Sequence, residues 1–125
     1  MINLKLLYIG SIIITLWGIA HLFPTKAIVK GFGDISRDNR LIITMSWIGE
    51  GLALIYIGVL VLILAIFTDI YNPVSIIIFR ASAVMLIILS TVSLFTGART
   101  SIIPNKICPF IKTTCAILFI LGSIL

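Results

Sequence analysis

Glu50 and His21 are the two side chains of this sequence best suited to exchange a proton with a bound molecule. Glu50 lies within an apolar run, residues 41–67, where a lone carboxylate is costly and marks a candidate functional site. A carboxyl group in a low dielectric tends to keep its proton, and a nearby histidine can share or accept that proton. We therefore predict Glu50 and His21 as the candidate catalytic residues.

Two tryptophans are predicted to lie beside this pair. Trp17 precedes His21 by one helical turn, and Trp47 precedes Glu50 by roughly 5 Å along the next helix. Because consecutive helices run in opposite directions, we expect His21 to share a layer with Trp47, and Trp17 to share a layer with Glu50. Indole faces in such a layer can flank a planar or cationic ligand.

Small and hydroxylated residues near Glu50 complete this candidate site. Thr44 and Thr15 can add hydrogen bonds to a ligand. Gly49 and Gly51 stand on either side of Glu50 and allow either close helix packing or the close approach of a ligand.

Arg80 and Lys112 each have two interpretations. Arg80 lies about 9 Å into its helix. It is interpreted either as an interfacial anchor or as an inward partner for Asp69 or a ligand anion. If the last helix begins at Pro109, Lys112 is interfacial, which is the preferred interpretation; otherwise it is a long-armed partner for Glu50. The candidate ligand-binding residues are Trp17, Trp47, Thr44, Arg80 and Lys112.

A purely structural interpretation accounts for the same residues. His21 can cap the C-terminal end of its helix, Trp17 and Trp47 can face lipid as belt residues, and Glu50 can hydrogen-bond a neighbouring helix or a partner subunit. Metal and haem chemistry is not predicted, since one histidine cannot supply two axial ligands. Cys108 and Cys115 lie about 10 Å apart on one helix face, too far for a disulfide, and are interpreted as packing residues.

The composition predicts the elements that position this site. Of 125 residues, 61% are hydrophobic and 10% charged, whereas about a quarter of a soluble domain is charged. Four stretches approach the about 20 apolar residues that a membrane span needs. We predict an all-α, antiparallel four-helix transmembrane bundle over residues 1–125, with spans at about 4–22, 41–67, 74–96 and 107–125.

Turn signals divide these spans. Residues 25–30 are predicted as a short interfacial helix after Pro24, followed by an N-cap for the second span at Asp34, Ser36 or Asp38. Pro73 is placed to start the third span, and the short turn before it predicts that the second and third spans are antiparallel neighbours. Gly97 is expected to close the third span, and Pro104 and Pro109 to bracket the beginning of the fourth.

The distribution of charge predicts the orientation of the chain. Cations concentrate in the first and third loops, at Lys26, Lys30, Arg37, Arg40, Arg99 and Lys106. By the positive-inside rule these loops face the cytoplasm and both termini face outward in a cell membrane. The net charge of +5 does not indicate nucleic-acid binding, because the cations are not gathered on a soluble surface.

A resemblance supports the same fold. The segments 18–24, 31–36 and 47–52 resemble small four-helix bacterial membrane proteins that are loosely similar to the DoxX-like group. The resemblance covers mainly the first two helices. It implies a bacterial inner membrane and a link to membrane redox and quinone assemblies, but it carries over no catalytic residue.

Together these observations predict a membrane protein that binds a lipid or quinone near the cytoplasmic leaflet. The alternative is an accessory subunit of a larger membrane complex, or of a homo-oligomer, with no ligand of its own. The sequence leaves open whether the protein is an enzyme and names no cofactor. If it is an enzyme, acid/base isomerisation or quinone-linked chemistry suits Glu50 and His21 better than hydrolysis, because no nucleophile lies beside a base.

Overall fold

The computed structural model describes residues 2–124, and this part of the chain is helical apart from its turns, with no strand. Its elements are α1 (Ile2–Leu22), α2 (Thr25–Lys30), α3 (Arg37–Phe67), α4 (Pro73–Phe95), a 3₁₀ turn (Gly97–Arg99) and α5 (Ile103–Ile124). Four of the described helices, all but α2, are long and apolar enough to cross a membrane. The chain thus has the architecture of a multi-pass membrane protein built as a helical bundle.

Helix starts follow the predicted signals in two places. Ser36 caps α3 by accepting a hydrogen bond from the Asn39 backbone N–H at 3.1 Å, which selects one of the three predicted caps. Asn72 caps α4 and Pro73 occupies its first turn, where the missing proline N–H is not needed. The prediction that α4 starts at Pro73 is confirmed, as is the short helix over residues 25–30.

The beginning of α5 differs from the prediction. Pro109 lies inside this helix, which already begins at Ile103. A proline lacks the N–H for one helical hydrogen bond, and here its carbonyl oxygen accepts a hydrogen bond from Ser90 Oγ of α4 at 2.8 Å. The predicted apolar span that starts near Ile107 is therefore preceded by a further helical turn, residues 103–106.

Helices α1 and α5 pack against each other in the middle of the bundle, with α3 packed against α1 and α4 packed against α5. The contact between α1 and α3 is close because glycines face each other: a Cβ atom on Gly18 would lie 2.9 Å from the Gly51 carbonyl oxygen. A side chain on Gly58 would likewise meet the Ser11 carbonyl oxygen, at 2.8 Å. Small residues at such crossings allow helix backbones to approach in membranes.

Helices α3 and α4 are antiparallel but touch little along their lengths. The sequence predicted them as packed neighbours because their connecting turn is short, and the structure corrects this. At the turn the hydroxyls of Thr68 and Ser75 are 3.0 Å apart, yet the helices then separate and leave the bundle open on this side. The opening leads toward Glu50.

The two ends of the bundle differ in charge. One end, here called the basic end, carries α2, the 3₁₀ turn and the first turn of α5, and with them the six cations of the first and third loops. The opposite end carries the turn between α3 and α4. Glu50 and His21 both lie toward the basic end.

Candidate functional site

The Glu50 side chain forms an ion pair with Lys112 of α5. The Lys112 side chain is completely buried, and its ammonium also donates a hydrogen bond to Ser93 Oγ of α4 at 2.7 Å. Three helices therefore meet at this one cation. The preferred prediction, an interfacial Lys112, is wrong because α5 begins six residues before Pro109; the alternative prediction of a partner for Glu50 is correct.

Helical spacing could have revealed the buried position of Lys112. Cys108, Lys112, Cys115 and Phe119 recur at intervals of four, three and four residues, and all four are buried. A lysine on the buried face of a membrane helix needs an acidic partner, and Glu50 is the acidic residue of a long apolar run. The misplaced helix start concealed this pattern.

His21 stacks on Trp47, with ring centroids 4.0 Å apart and ring planes inclined by 16°. The Trp47 indole N–H also donates a hydrogen bond of 2.8 Å to the His21 carbonyl oxygen. This oxygen lies in the last turn of α1, where carbonyl groups have no partner within the helix. The prediction that these residues share a layer is confirmed. Two contacts between the same pair hold the end of α1 against α3 and fix the orientation of the imidazole.

The Nε2 nitrogen of His21 lies near the Glu50 carboxylate. His21 Nε2 lies 3.7 Å from Glu50 Oε2, beyond hydrogen-bond distance. The His21 side chain is only 7% exposed, and Nε2 has no hydrogen-bond partner among residues 2–124. Buried polar atoms are nearly always paired. Nε2 is itself buried, so a hydrogen-bonding group in the space beside Glu50 would reach it only if the Glu50 carboxylate moved aside.

That space is a cavity of about 400 Å³ on the open side of the bundle. We call it the Glu50 cavity; its walls include His21, Trp47, Gly49, Glu50, Ser93 and Asn105. Gly49 borders it without crowding, since a Cβ atom there would meet nothing within 4 Å. The Glu50 side chain is 29% exposed and thus remains accessible from the cavity despite its pair with Lys112.

Two further cavities share walls with this one. A groove of about 740 Å³ runs on toward α2 and also has Trp47 and Glu50 in its wall. A smaller space of about 300 Å³ lies between α1 and α5 and is lined in part by Trp17, His21 and Cys108. Typical ligand pockets have volumes of about 300 to 1,000 Å³, so each of these three spaces is large enough for a small amphipathic molecule.

Trp17 lies in this neighbourhood, but its indole N–H is paired with a residue of α5 rather than with Glu50. Its N–H points at Cys108 Sγ, 3.2 Å away, which ties α1 to α5. Trp47 borders both the Glu50 cavity and the smaller space, whereas Trp17 borders the smaller one. Trp17 therefore shares the wall of the smaller space with Trp47 but does not line the Glu50 cavity.

Three of the other candidates lie elsewhere. Thr44 donates to the Arg40 carbonyl oxygen at 2.8 Å and lines a separate cleft near α2. Thr15 donates to the Ser11 carbonyl oxygen within α1. Arg80 reaches the end of α5, where Nε lies 3.3 Å from Ser123 Oγ, far from Glu50 along the bundle. The structure thus assembles Glu50, His21, Trp47 and Lys112, with Trp17 beside them.

The polar residues Ser93 and Asn105 escaped the sequence analysis. Ser93 accepts the second hydrogen bond of Lys112. Asn105 borders the Glu50 cavity, the groove toward α2 and the smaller space between α1 and α5. Serine and asparagine are too common at helix ends and in membrane helices for their positions alone to single them out. Within residues 2–124, no group of three or more His, Cys, Asp or Glu side chains is placed to hold a metal ion.

Comparison of the chain with protein-family models, with curated proteins and with solved structures found no match. The resemblance to the DoxX-like group therefore stays a prediction. The function has to be argued from the site itself, whose chemistry is that of a neutralised carboxylate and an unpartnered imidazole beside an apolar cavity.

Proposed function

We propose that this protein binds a small, uncharged amphipathic molecule of the lipid or quinone class in the Glu50 cavity. The observation that carries this proposal is the buried, unpartnered His21 Nε2, which lies 3.7 Å from the Glu50 carboxylate, and both residues line that cavity. A hydroxyl or carbonyl group of a ligand would complete the hydrogen bonding of this nitrogen by displacing the Glu50 carboxylate slightly. Glu50 is close enough to bind the same group.

The charges of the site favour a neutral head group. The Glu50 carboxylate and the Lys112 ammonium balance each other, so the cavity offers hydrogen bonds without a net charge. An anionic head group would be repelled by Glu50, and Lys112 is too deeply buried to attract it. Quinone carbonyls and quinol or glycerol hydroxyls meet this requirement.

The open side of the bundle provides a route from the bilayer. Ala53 borders both the Glu50 cavity and a surface groove of about 360 Å³ between α3 and α4. That groove is lined mainly by apolar residues, among them Ile57, Leu60 and Met85. A ligand dissolved in the membrane would enter between these helices, with its apolar tail in the groove and its polar head at Glu50.

Proton exchange is the chemistry this arrangement suits best. With the ligand's oxygen between His21 and Glu50, either side chain could donate or accept a proton. Lys112 would act behind Glu50 as a positioning residue. The same arrangement would serve a quinone-linked or acid/base reaction, should the protein be an enzyme.

The membrane setting forms part of the proposal. The basic end faces the cytoplasm by the positive-inside rule, and both termini face outward. This places the Glu50 cavity near the cytoplasmic leaflet. The resemblance to bacterial proteins supports the inner membrane as the location.

Native mass spectrometry of the protein extracted in mild detergent tests this function. Glu50→Gln alone would leave the buried Lys112 ammonium without a counter-ion, so the suitable variant is Glu50→Gln/Lys112→Met, which removes both charges. We expect the wild type to retain one small molecule per chain and the double variant to lose it. Arg80→Gln, a change at the opposite end, should retain it. Unchanged occupancy in the double variant would exclude Glu50 as a ligand contact.

One observation favours a second function, that of an accessory subunit. The Glu50–Lys112 pair satisfies both charges within the chain, as a structural clasp between α3 and α5 would require. In that case the cavity has no specific occupant. A purified chain that carries no small molecule, yet is retained on a partner protein in both the wild type and the double variant, would support this alternative.

A further inference from the structure

A separate cleft of about 620 Å³ lies at the basic end, between α2 and the beginning of α3. Lys26 and Lys30 line it from α2, and Arg40 lines it from α3, so cations stand on both of its walls. We call this space the basic cleft. Among the described residues, none borders both the basic cleft and the Glu50 cavity.

The cations of the basic cleft are not neutralised by neighbouring side chains. Asp34 is the acidic residue in its wall, which leaves two positive charges in excess, three cations against one carboxylate. Within residues 2–124, neither the lysines nor Arg40 forms an ion pair, and none donates a side-chain hydrogen bond. The basic cleft therefore has several unpaired hydrogen-bond donors that can bind an anion.

The rest of the basic cleft is suited to a lipid rather than to a soluble anion. Val29, the buried residue of α2, and Leu41 of α3 form an apolar part of its wall. Leu41 is also the first residue of the apolar run of α3, so the basic cleft lies where the chain enters the bilayer. Cations above an apolar wall match the phosphate and the glycerol-ester region of a phospholipid.

We propose that the basic cleft binds the head group of an anionic phospholipid, with its phosphate between Lys26, Lys30 and Arg40. A zwitterionic phospholipid carries an equivalent phosphate, but its own ammonium group faces the same three cations and opposes binding. The site thus selects for net negative charge. This inference does not depend on the function proposed for Glu50, because the two sites share no residue among those described.

Lipid retention in nanodiscs tests the proposal. The protein is reconstituted in equal amounts of phosphatidylglycerol and phosphatidylcholine with identical acyl chains, released into mild detergent, and its bound lipids are counted by native mass spectrometry. We expect the wild type to retain phosphatidylglycerol preferentially. Because charge-assisted contacts of all three cations with the phosphate are lost together, the triple variant Lys26→Gln/Lys30→Gln/Arg40→Gln should lose this preference for phosphatidylglycerol.

A control variant distinguishes the effect of the basic cleft on lipid retention from the effect of the overall positive charge at this end of the bundle. Arg37→Gln/Arg99→Gln/Lys106→Gln removes the same number of cations from the same end of the bundle, and none of these residues lines the basic cleft. We expect it to keep the lipid. Equal losses in the two triple variants, or equal retention of the two lipids by the wild type, would overturn the proposal.

Two further measurements keep the test decisive. If the triple variant does not fold, Arg40→Gln should lower retention of phosphatidylglycerol, while Arg37→Gln, three residues earlier on α3 and outside the basic cleft, should leave it unchanged. Inorganic phosphate in the millimolar range should not displace the lipid. Displacement by phosphate would assign the basic cleft to a soluble phosphate compound and would contradict a lipid site.

Discussion

The ion pair between Glu50 and Lys112 predicts a strongly asymmetric double-mutant cycle. In Glu50→Leu the Lys112 ammonium stays buried with Ser93 as its one remaining partner in the described part of the chain. An unpaired buried charge costs about 3 to 5 kcal/mol of folding free energy. In Lys112→Met the carboxylate, 29% exposed, keeps His21 nearby, and we expect a smaller loss of about 1 to 3 kcal/mol.

The double variant Glu50→Leu/Lys112→Met should be far more stable than the sum of the two single-variant losses would predict. Replacing a buried pair by apolar residues is often close to neutral, so we expect a free energy of unfolding within about 1 kcal/mol of the wild type. The coupling between the two sites would then be at least about 3 kcal/mol.

The assay is reversible unfolding in mixed micelles with increasing sodium dodecyl sulfate, followed by far-ultraviolet circular dichroism. Arg80→Met is a suitable control, because this exposed arginine contacts Ser123 at the opposite end, and it should cost less than about 1 kcal/mol. Additive effects of the two single variants would refute the reasoning, since side chains that do not interact show no coupling.

Further predictions concern helix packing. Gly18→Ala should destabilise the bundle by about 1 to 3 kcal/mol in the same unfolding assay, because its Cβ atom would lie 2.9 Å from the Gly51 carbonyl oxygen. Gly49→Ala, with nothing within 4 Å, should be neutral or stabilising by up to about 1 kcal/mol; equal losses for both glycines would contradict the close α1–α3 crossing. Ser90→Ala removes the hydrogen bond to the Pro109 carbonyl oxygen and should cost about 1 to 2 kcal/mol. An unchanged unfolding midpoint for Ser90→Ala would show that this bond contributes nothing.

The sequence predicted the helices well because each signal is local. Composition identified four spans, and Ser36 and Pro73 act at the helix starts where capping rules place them. The layer shared by His21 and Trp47 also followed from helical rise alone, since α1 and α3 are antiparallel and the two residues lie near the ends of these helices.

Lateral packing was not predictable in the same way. The close contact of α1 with α3 depends on glycines at their crossing, and no local sequence pattern encodes such a contact or the separation of α3 from α4. The prediction for Lys112 failed for a related reason: Pro109 was taken as a helix start, whereas α5 already begins at Ile103 and Pro109 lies inside it. Once the start of a helix is misplaced, the depth of every residue in it is wrong.

Native mass spectrometry of a cavity-filling variant tests the central claim most directly. Gly49→Leu places a side chain in the Glu50 cavity at a position where a Cβ atom meets nothing within 4 Å, so the fold should be preserved. If a lipid or quinone occupies this cavity, the wild type and Gly49→Ala will retain one small molecule per chain and Gly49→Leu will retain none. Equal occupancy in all three proteins, or none in the wild type, would contradict a ligand site beside Glu50.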